Sequence, residues 1–596
     1  MFSGFADAPS ESSPQDMGAN VCEPAAHGKE SQASRSLRWA WLGGFAVAAI
    51  ALFLCYLRLA GTYPTDTDGS DQALQAWDML HGNLLLHGWT IADVTYYTTE
   101  IPQYMLIELV RGLGPEVEHI AAASTYTLLV LAAGLLARGR ATGRDGLIRL
   151  LVAAGIMLAP QFGNATHLLL SQPDHLGTQL PLLLVFLLLD RAPRRWYIPV
   201  AAGVALAWVI IADRVAVLDA VVPLALVCGA RVLLAVLRHR KSLASQWYEL
   251  SLVAASAASF AAATLAVRLI SDLGGYQVTP VKSATLAPLH TLPHRVVIAF
   301  EGILNVYGAD FFHISQNNPF GPDLGGLPLA AGVALAAVHL VGVALAVWGF
   351  FRAFRYFFDP RDLISPVLAT AIAVNVAGYS LSIVSAGLFD AREILAVLPF
   401  GAVLAGRMVP GSLARARLGR VRLTPVVTGG LAGVLACYLA ALGYGAAQSP
   451  VPDSMQAVIP WLEAHHLTHG LGTYSESNLI TMDSGGRLAI RDVAWRSTVN
   501  LPRHFETKSS WDDPRYSYAN FILTNSADHL GMTGGANRLV SLIPRSAIAA
   551  LHAGPPAHVY HYKTFTIMVW NHNLLDNLGS APGIQPGDIP CIDDCV

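Results

Sequence analysis

Charge is what this 596-residue sequence has least of: 13% of its residues are Asp, Glu, Lys or Arg while 53% are hydrophobic. A soluble domain carries about 25% charged residues. So much apolar surface cannot be covered in water, which excludes an ordinary soluble enzyme and makes the chain an integral membrane protein. The net charge of −3 offers no basic face to nucleic acid. Cysteine is scarce as well. Cys55, Cys228 and Cys437 lie inside apolar runs, where a thiol acts as a small hydrophobe, and Cys22 stands alone. That excludes a disulfide-built scaffold. Only Cys591 and Cys595, in CIDDC, are placed to pair, and they read equally well as two thiols of a loose tail. No internal repeat is visible, which weighs against an inverted-repeat transporter. Residues 1–38 lack sustained periodicity and read as a disordered cytoplasmic tail.

What is present is a succession of apolar runs, at about 39–60, 119–137, 150–170, 176–190, 197–212, 215–237, 248–270, 327–351, 363–388, 393–409 and 424–446. Arginine tests the count of eleven, because a missed span would flip every later loop. Alternate loops carry Arg138, Arg140, Arg144 and Arg149, then Arg191, Arg194 and Arg195, then Arg231, Arg238, Arg240 and Lys241, then Arg352, Arg355 and Arg361, and finally Arg407, Arg415, Arg417, Arg420 and Arg422, while the intervening loops hold one or two basic residues each at most. The N-terminus is therefore expected in the cytoplasm, and the intervals 62–118 and 271–326 on the outer face of a bacterial cell membrane. After residue 448 Asp, His, Asn and Ser return. The expected fold class is an α-helical polytopic membrane protein, with a transmembrane domain over 39–446 and a C-terminal extracytoplasmic α/β domain over 451–596. In that domain 454–467 predicts a helix carrying His465 and His469 on its exposed side, while 470–474 and 558–570 predict strands.

The outer interval 62–118 concentrates polar chemistry. It opens with Asp66, Asp68 and Asp71 just beyond the first span. Two helices lying along the interface are expected next. The first has Ser70 as N-cap and an apolar stripe of Ala73, Trp77 and Leu80; the second has Pro102 in its first turn and a face of Met105, Leu106, Leu109, Val110 and Leu113, with Glu108 and Arg111 off it. Trp89, Tyr96 and Tyr97 between them suit headgroup depth.

The stretches TDTDGSDQ, DMLHGN, YYTTEIPQY and AREILAVLPFGAVLAGR, in this arrangement of spans and outer domain, resemble the GT-C superfamily of membrane glycosyltransferases, which includes protein O-mannosyltransferases, lipid A aminoarabinose transferases and actinobacterial arabinosyl- and mannosyltransferases. The DE or DD dipeptide common in the first loop of that family is absent. The resemblance implies inverting transfer of a sugar from a polyprenyl-phosphate donor to an envelope glycan, lipid or protein acceptor, with a first-loop aspartate as general base and no required cofactor. Asp68 is the first candidate, since Gly69 beside it would let a sugar approach; Asp66 and Asp71 compete, and Asp71 equally serves a helix end.

A cation beside the leaving phosphate is expected from Arg392, at the start of the tenth span, or from Arg214. Arg392 has Asp390 and Glu393 as alternative partners. Glu100 is a candidate for acceptor or cation binding, or simply a favourable helix N-terminal charge. Asp174, His175 and His167 either line the cavity or, with the first-loop aspartates, hold Mg²⁺ or Mn²⁺. Glu301 and Asp310, in an expected interfacial helix over 294–312, face the same cavity. Asp219, within the sixth span, is a site candidate or a hydrogen-bonded helix contact. The alternative to an enzyme is a non-catalytic transporter, flippase or assembly factor.

Overall fold

The computed structural model describes residues 32–161, 164–239, 242–279, 285–312, 326–359, 361–413, 417–418, 421–422, 424–451, 455–492, 494–496, 499–501, 506–525 and 553–577. Most of the N-terminal tail, together with Cys591 and Cys595, lies outside the described residues. The chain forms two compact units, Met1–Ile50 and Ala51–Val596. In the first, the described residues are the opening turns of helix α1 (Gln32–Ala60).

In the second unit the outer interval 62–118 holds α2 (Thr67–Leu80), β1 (Trp89–Ile91) and α3 (Glu100–Arg111). Then come α4 (Glu116–Arg138), α5 (Gly143–Ile156), α6 (Asn164–Leu170), α7 (Asp174–Arg191), α8 (Tyr197–Ala212), a π turn at Val217–Val221, α9 (Val222–His239) and α10 (Trp247–Asp272). The long outer interval contributes β2 (Gln277–Val278) and α11 (Leu292–Val306), and is followed by α12 (Gly326–Arg355), α13 (Ile364–Leu381), α14 (Val397–Leu413), a two-residue pairing of β3 (Arg417–Leu418) with β4 (Val421–Arg422), and α15 (Thr424–Ala446). Seven helices among the described residues are long and apolar enough to cross a membrane: α1, α4, α9 with its π turn, α10, α12, α13 and α15. The shorter α8 is apolar too. The remaining expected spans fall on α7, on α14 and on the third run, which is broken into α5 and α6.

One core cluster packs the helices, with Tyr126, Phe186 and Phe400 at its centre. Arg407 closes one end of it: its guanidinium donates to Asp190 at 2.9 Å, Asp362 at 3.1 Å and the Leu136 carbonyl at 3.0 Å. Asp190 ends α7 and Arg407 lies in the second half of α14, so the first residues of α7 and the turn before α14 belong to the opposite end.

The C-terminal region carries α16 (Ile459–Ala464), β5 (His469–Gly472), α17 (Tyr474–Asp483), β6 (Ala489–Asp492), the β7 (Ala494–Arg496) and β8 (Val499–Leu501) pair, β9 (Thr507–Lys508), β10 (Phe521–Asn525), β11 (His558–Tyr562) and β12 (Phe565–Val569). Its five-stranded sheet runs β11-β12-β10-β5-β6, parallel where α17 crosses from β5 to β6 and antiparallel in the β11–β12 hairpin. The run 558–570 is thus two strands, turned at Lys563, whose φ is +53°. Tyr474 is no strand residue: Thr473 and Glu476 form a capping box that opens α17. His469 begins β5, and His465 ends α16 stacked on Trp461 at 3.8 Å.

Although 451–596 is set apart in sequence, its core is shared. Leu479, Ile480, Ile490, Phe521 and Ile567 pack in one cluster with Ala73, Met79, Trp89, Ile101 and Tyr104 of the first outer interval. A small sheet in the order β2-β1-β9 stitches the intervals 62–118 and 271–326 to the C-terminal region. On α3 the apolar row Leu106, Leu109 and Val110 is exposed, whereas Glu108 is buried and pushed up to about 9 by burial.

Candidate active site

Asp66 and Asp68, two residues apart, have opposite surroundings. Asp66, in extended backbone, is the N-cap of α2, and its Oδ1 accepts the Asp68 N–H at 3.0 Å. The expected cap, Ser70, lies inside the first turn, where its hydroxyl donates to the Thr67 carbonyl, because the helix is capped four residues earlier than the apolar stripe implies. The Asp66 N–H donates to Glu118 Oε1 at 2.7 Å, and its carboxylate meets His167 Nε2 and Gln172 Nε2, each at 3.5 Å. Burial alone would raise its pKa, but His167, the Asp68 N–H and Arg392 together hold it below the usual carboxylate range.

The Asp68 side chain is 35% exposed. Arg392 Nη1 donates to its Oδ2 at 3.1 Å, and the Tyr474 hydroxyl lies 3.2 Å from its Oδ1. Enclosure and then the Asp66 charge raise it, Arg392 pulls it back, Asp174 pushes it up again, and the balance is about 6. The two neighbouring carboxylates are thus driven apart, Asp66 downward and Asp68 upward. Gly69 has another use than the one expected of it. A Cβ there would stand 2.6 Å from the Glu118 carboxyl carbon, so the glycine makes room for the glutamate that receives the Asp66 N–H.

Arg392 lies on a 3₁₀ turn, Phe389–Ile394, ahead of α14 rather than at that helix's N-terminus. Its guanidinium sits 4.8 Å over the Phe389 ring. Both alternative partners are engaged elsewhere. Asp390 accepts the N–H groups of Ala386 and Gly387 at 3.0 and 2.7 Å, and Glu393 faces His175 Nε2 at 3.4 Å.

Two residues of this site come from the C-terminal region and are not among the candidates drawn from the sequence, Tyr474 and Glu506. The Tyr474 hydroxyl bridges Asp68 and Glu506. A phenol has one proton, so it can donate to one of the two carboxyl groups only. Glu506 is buried, and burial together with Asp71 and Asp68 raises its pKa well above the ordinary value. The Tyr474 hydroxyl is thus placed to donate to either carboxyl group. A usable signal did exist for Tyr474: it follows a parallel strand and opens a capped helix, the strand end where α/β sheets gather ligands.

A second cluster centres on His175, in the first turn of α7. Its Nδ1 pairs with Asp213 Oδ2 at 2.8 Å, and Thr178 Oγ1 donates to the same oxygen at 2.8 Å. Asp174, at φ +42°, accepts the Tyr96 hydroxyl. Beyond it, Asp219 accepts Gln179 Nε2 and Asn375 Nδ2, both at 2.7 Å, which makes it a helix-to-helix contact. Glu100 is wholly buried, takes the Thr99 hydroxyl, and presses on Gly177 so closely that a Cβ there would collide with it. Burial raises its pKa well above the usual range, and the carboxyl is walled in by its neighbours.

Asp71 is buried and takes the Gln75 side-chain amide. Asp310 is buried and accepts the Phe312 N–H at 2.9 Å. Arg214 is exposed after α8 and Glu301 half-buried on α11; neither is joined to Asp68 or Arg392 by a hydrogen bond or ion pair. Among the described residues no group of three or more His, Cys, Asp or Glu side chains could hold a metal ion.

With this geometry in place, comparison with solved structures finds ArnT from Cupriavidus metallidurans in its apo state, at TM-score 0.50 and 12% identity, over 92% of this chain and 100% of that one. The fold is that of ArnT. ArnT is a lipid A aminoarabinose transferase of the GT-C class. The ArnT crystal structure bound to undecaprenyl phosphate is similar at TM-score 0.49 and 14% identity, over 92% of this chain and 99% of that one. No family model matches the sequence, and no curated protein matches it either.

Proposed function

We propose that the protein is an inverting glycosyltransferase, moving a sugar from a polyprenyl-phosphate donor to a hydroxyl of an envelope glycan, lipid or protein at the outer membrane face. The observation that carries the reading is the contact of Asp68 with Arg392 across 324 residues of sequence, in a fold shared with a GT-C transferase. An acceptor hydroxyl is a weak nucleophile. A carboxylate within hydrogen-bond reach takes its proton as the oxygen attacks the anomeric carbon, and a pKa of about 6 lets that carboxylate be ionised yet basic near neutrality.

The new carbon–oxygen bond forms on the face opposite the breaking bond to phosphate, which inverts the centre. The phosphate leaves with the electron pair and Arg392 stabilises its charge. Without donor, Arg392 spends its charge on Asp68. A donor phosphate competes for that guanidinium and leaves the carboxylate free to act as base. Asp66, with His167 on its carboxylate, positions Asp68, and no step needs a metal.

The test is transfer by the purified protein from a panel of radiolabelled polyprenyl-phosphate sugars, beside Asp68→Asn. One donor should be consumed, with a loss of about 10²–10⁴ in the variant. Unchanged turnover in Asp68→Asn overturns the base. Failure of every lipid-linked sugar to bind favours the non-catalytic alternative.

A further inference from the structure

At the open edge of the C-terminal sheet lies a cavity of about 380 Å³ lined by His469, Arg491, Arg515, Tyr516, Ser517 and Tyr518. Register places its floor. His469 pairs with Ala489 across β5 and β6, and Arg491, two residues further along the edge strand, shares that face, while Ile490 and Asp492 turn inward and are buried. Asp513 folds the opposite wall: its backbone and side chain accept the N–H groups of Arg515, Tyr516 and Ser517, and its carboxylate holds the Arg515 guanidinium at 2.6 to 3.1 Å.

Arg491 is the unusual member. Its guanidinium lies 4.1 Å over the Trp511 ring and makes no hydrogen bond among the described residues. Burial lowers its pKa to about 10, although Asp512 and Asp492 pull the other way. Enclosing a cation without hydrogen-bond acceptors is costly, and an incoming anion relieves that cost. Beside it are two exposed aromatic rings, Tyr516 at 73%, with the Arg515 guanidinium 5.6 Å over it, and Tyr518 at 45%, edge-on to His469 at 6.4 Å. Flat rings next to a fork-shaped cation form a surface for a polar ring bearing one anionic group.

We propose that this cavity is a second saccharide site, separate from Asp68, which binds an anionic sugar: Arg491 takes a carboxylate or phosphate group in bidentate fashion, and Tyr516 and Tyr518 pack against the sugar faces. Binding here needs no transfer chemistry, so the proposal stands or falls apart from the proposed function.

The experiment is titration of the full-length protein in detergent with a galacturonate tetrasaccharide, glucose 1-phosphate and neutral maltotetraose. At least one anionic probe should saturate, and which one does so identifies the anion as carboxylate or phosphate. Arg491→Gln should weaken that binding about tenfold or more, and Tyr516→Ala, on an exposed residue outside the core, should weaken it by roughly threefold. Asp68→Asn should bind as the wild type does. The proposal is overturned if neither anionic probe saturates, if maltotetraose binds as well as they do, or if Arg491→Gln and Tyr516→Ala both leave affinity unchanged.

Discussion

The cluster around Asp68 and the cluster around His175 stand at the same end of the helices, use the same residue types, and differ in access. Asp68 and Arg392 are about a third exposed, whereas His175 and Asp213 are 3% and 0% exposed. The sealed cluster satisfies its charges internally and joins α7 to the turns flanking α8 and α14. The open one keeps a carboxylate and a guanidinium that a ligand can separate. Ionisable residues near a bilayer are therefore not equally informative; what marks chemistry is a pair that is held in place yet reachable.

The sharpest way to break this comparison is to remove one member of each cluster. Asp68→Asn should abolish transfer by about 10²–10⁴ while the unfolding temperature in detergent stays close to wild type. His175→Ala should do the reverse in kind: leaving Asp213 as an uncompensated buried charge costs about 3–5 kcal/mol, read as a lowered unfolding midpoint. If His175→Ala were stable and selectively inactive, the two clusters would have been assigned the wrong way round. Tyr474→Phe, which removes the hydroxyl between Asp68 and Glu506 while keeping the ring, should cost roughly 10- to 100-fold in kcat with little change in stability. A smaller effect is expected from Gly69→Ala, where the new methyl meets Glu118; overpacking of this kind costs about 1–3 kcal/mol in thermal unfolding.

The helical framework was legible because apolar runs must be long, and each of the eleven runs meets helix, seven of those helices being long and apolar enough to cross a membrane. Asp68 and Arg392 were each legible alone, as charges at the edges of apolar segments, but their contact was not, since nothing local encodes a pairing across 324 residues. Ser70 misled because the helix was drawn from its apolar stripe, whereas the Asp66 cap begins it earlier. Gly69 misled in another way, since the space it provides is filled from within by Glu118. Tyr474 and Glu506 stayed hidden because 451–596 reads as a separate domain, and only the shared core and the β1–β9 pairing bring it onto the first outer interval.

The most direct measurement is the pH–rate profile of sugar transfer for wild type and Arg392→Gln. A base must be ionised to act, so the wild-type rate should fall as pH drops through about 6. Arg392 holds the Asp68 pKa down, so its removal should move that acid limb to higher pH as well as lower the plateau. An acid limb at the same pH in both proteins, or a rate that climbs toward acid, would contradict the assignment of Asp68 as the proton acceptor.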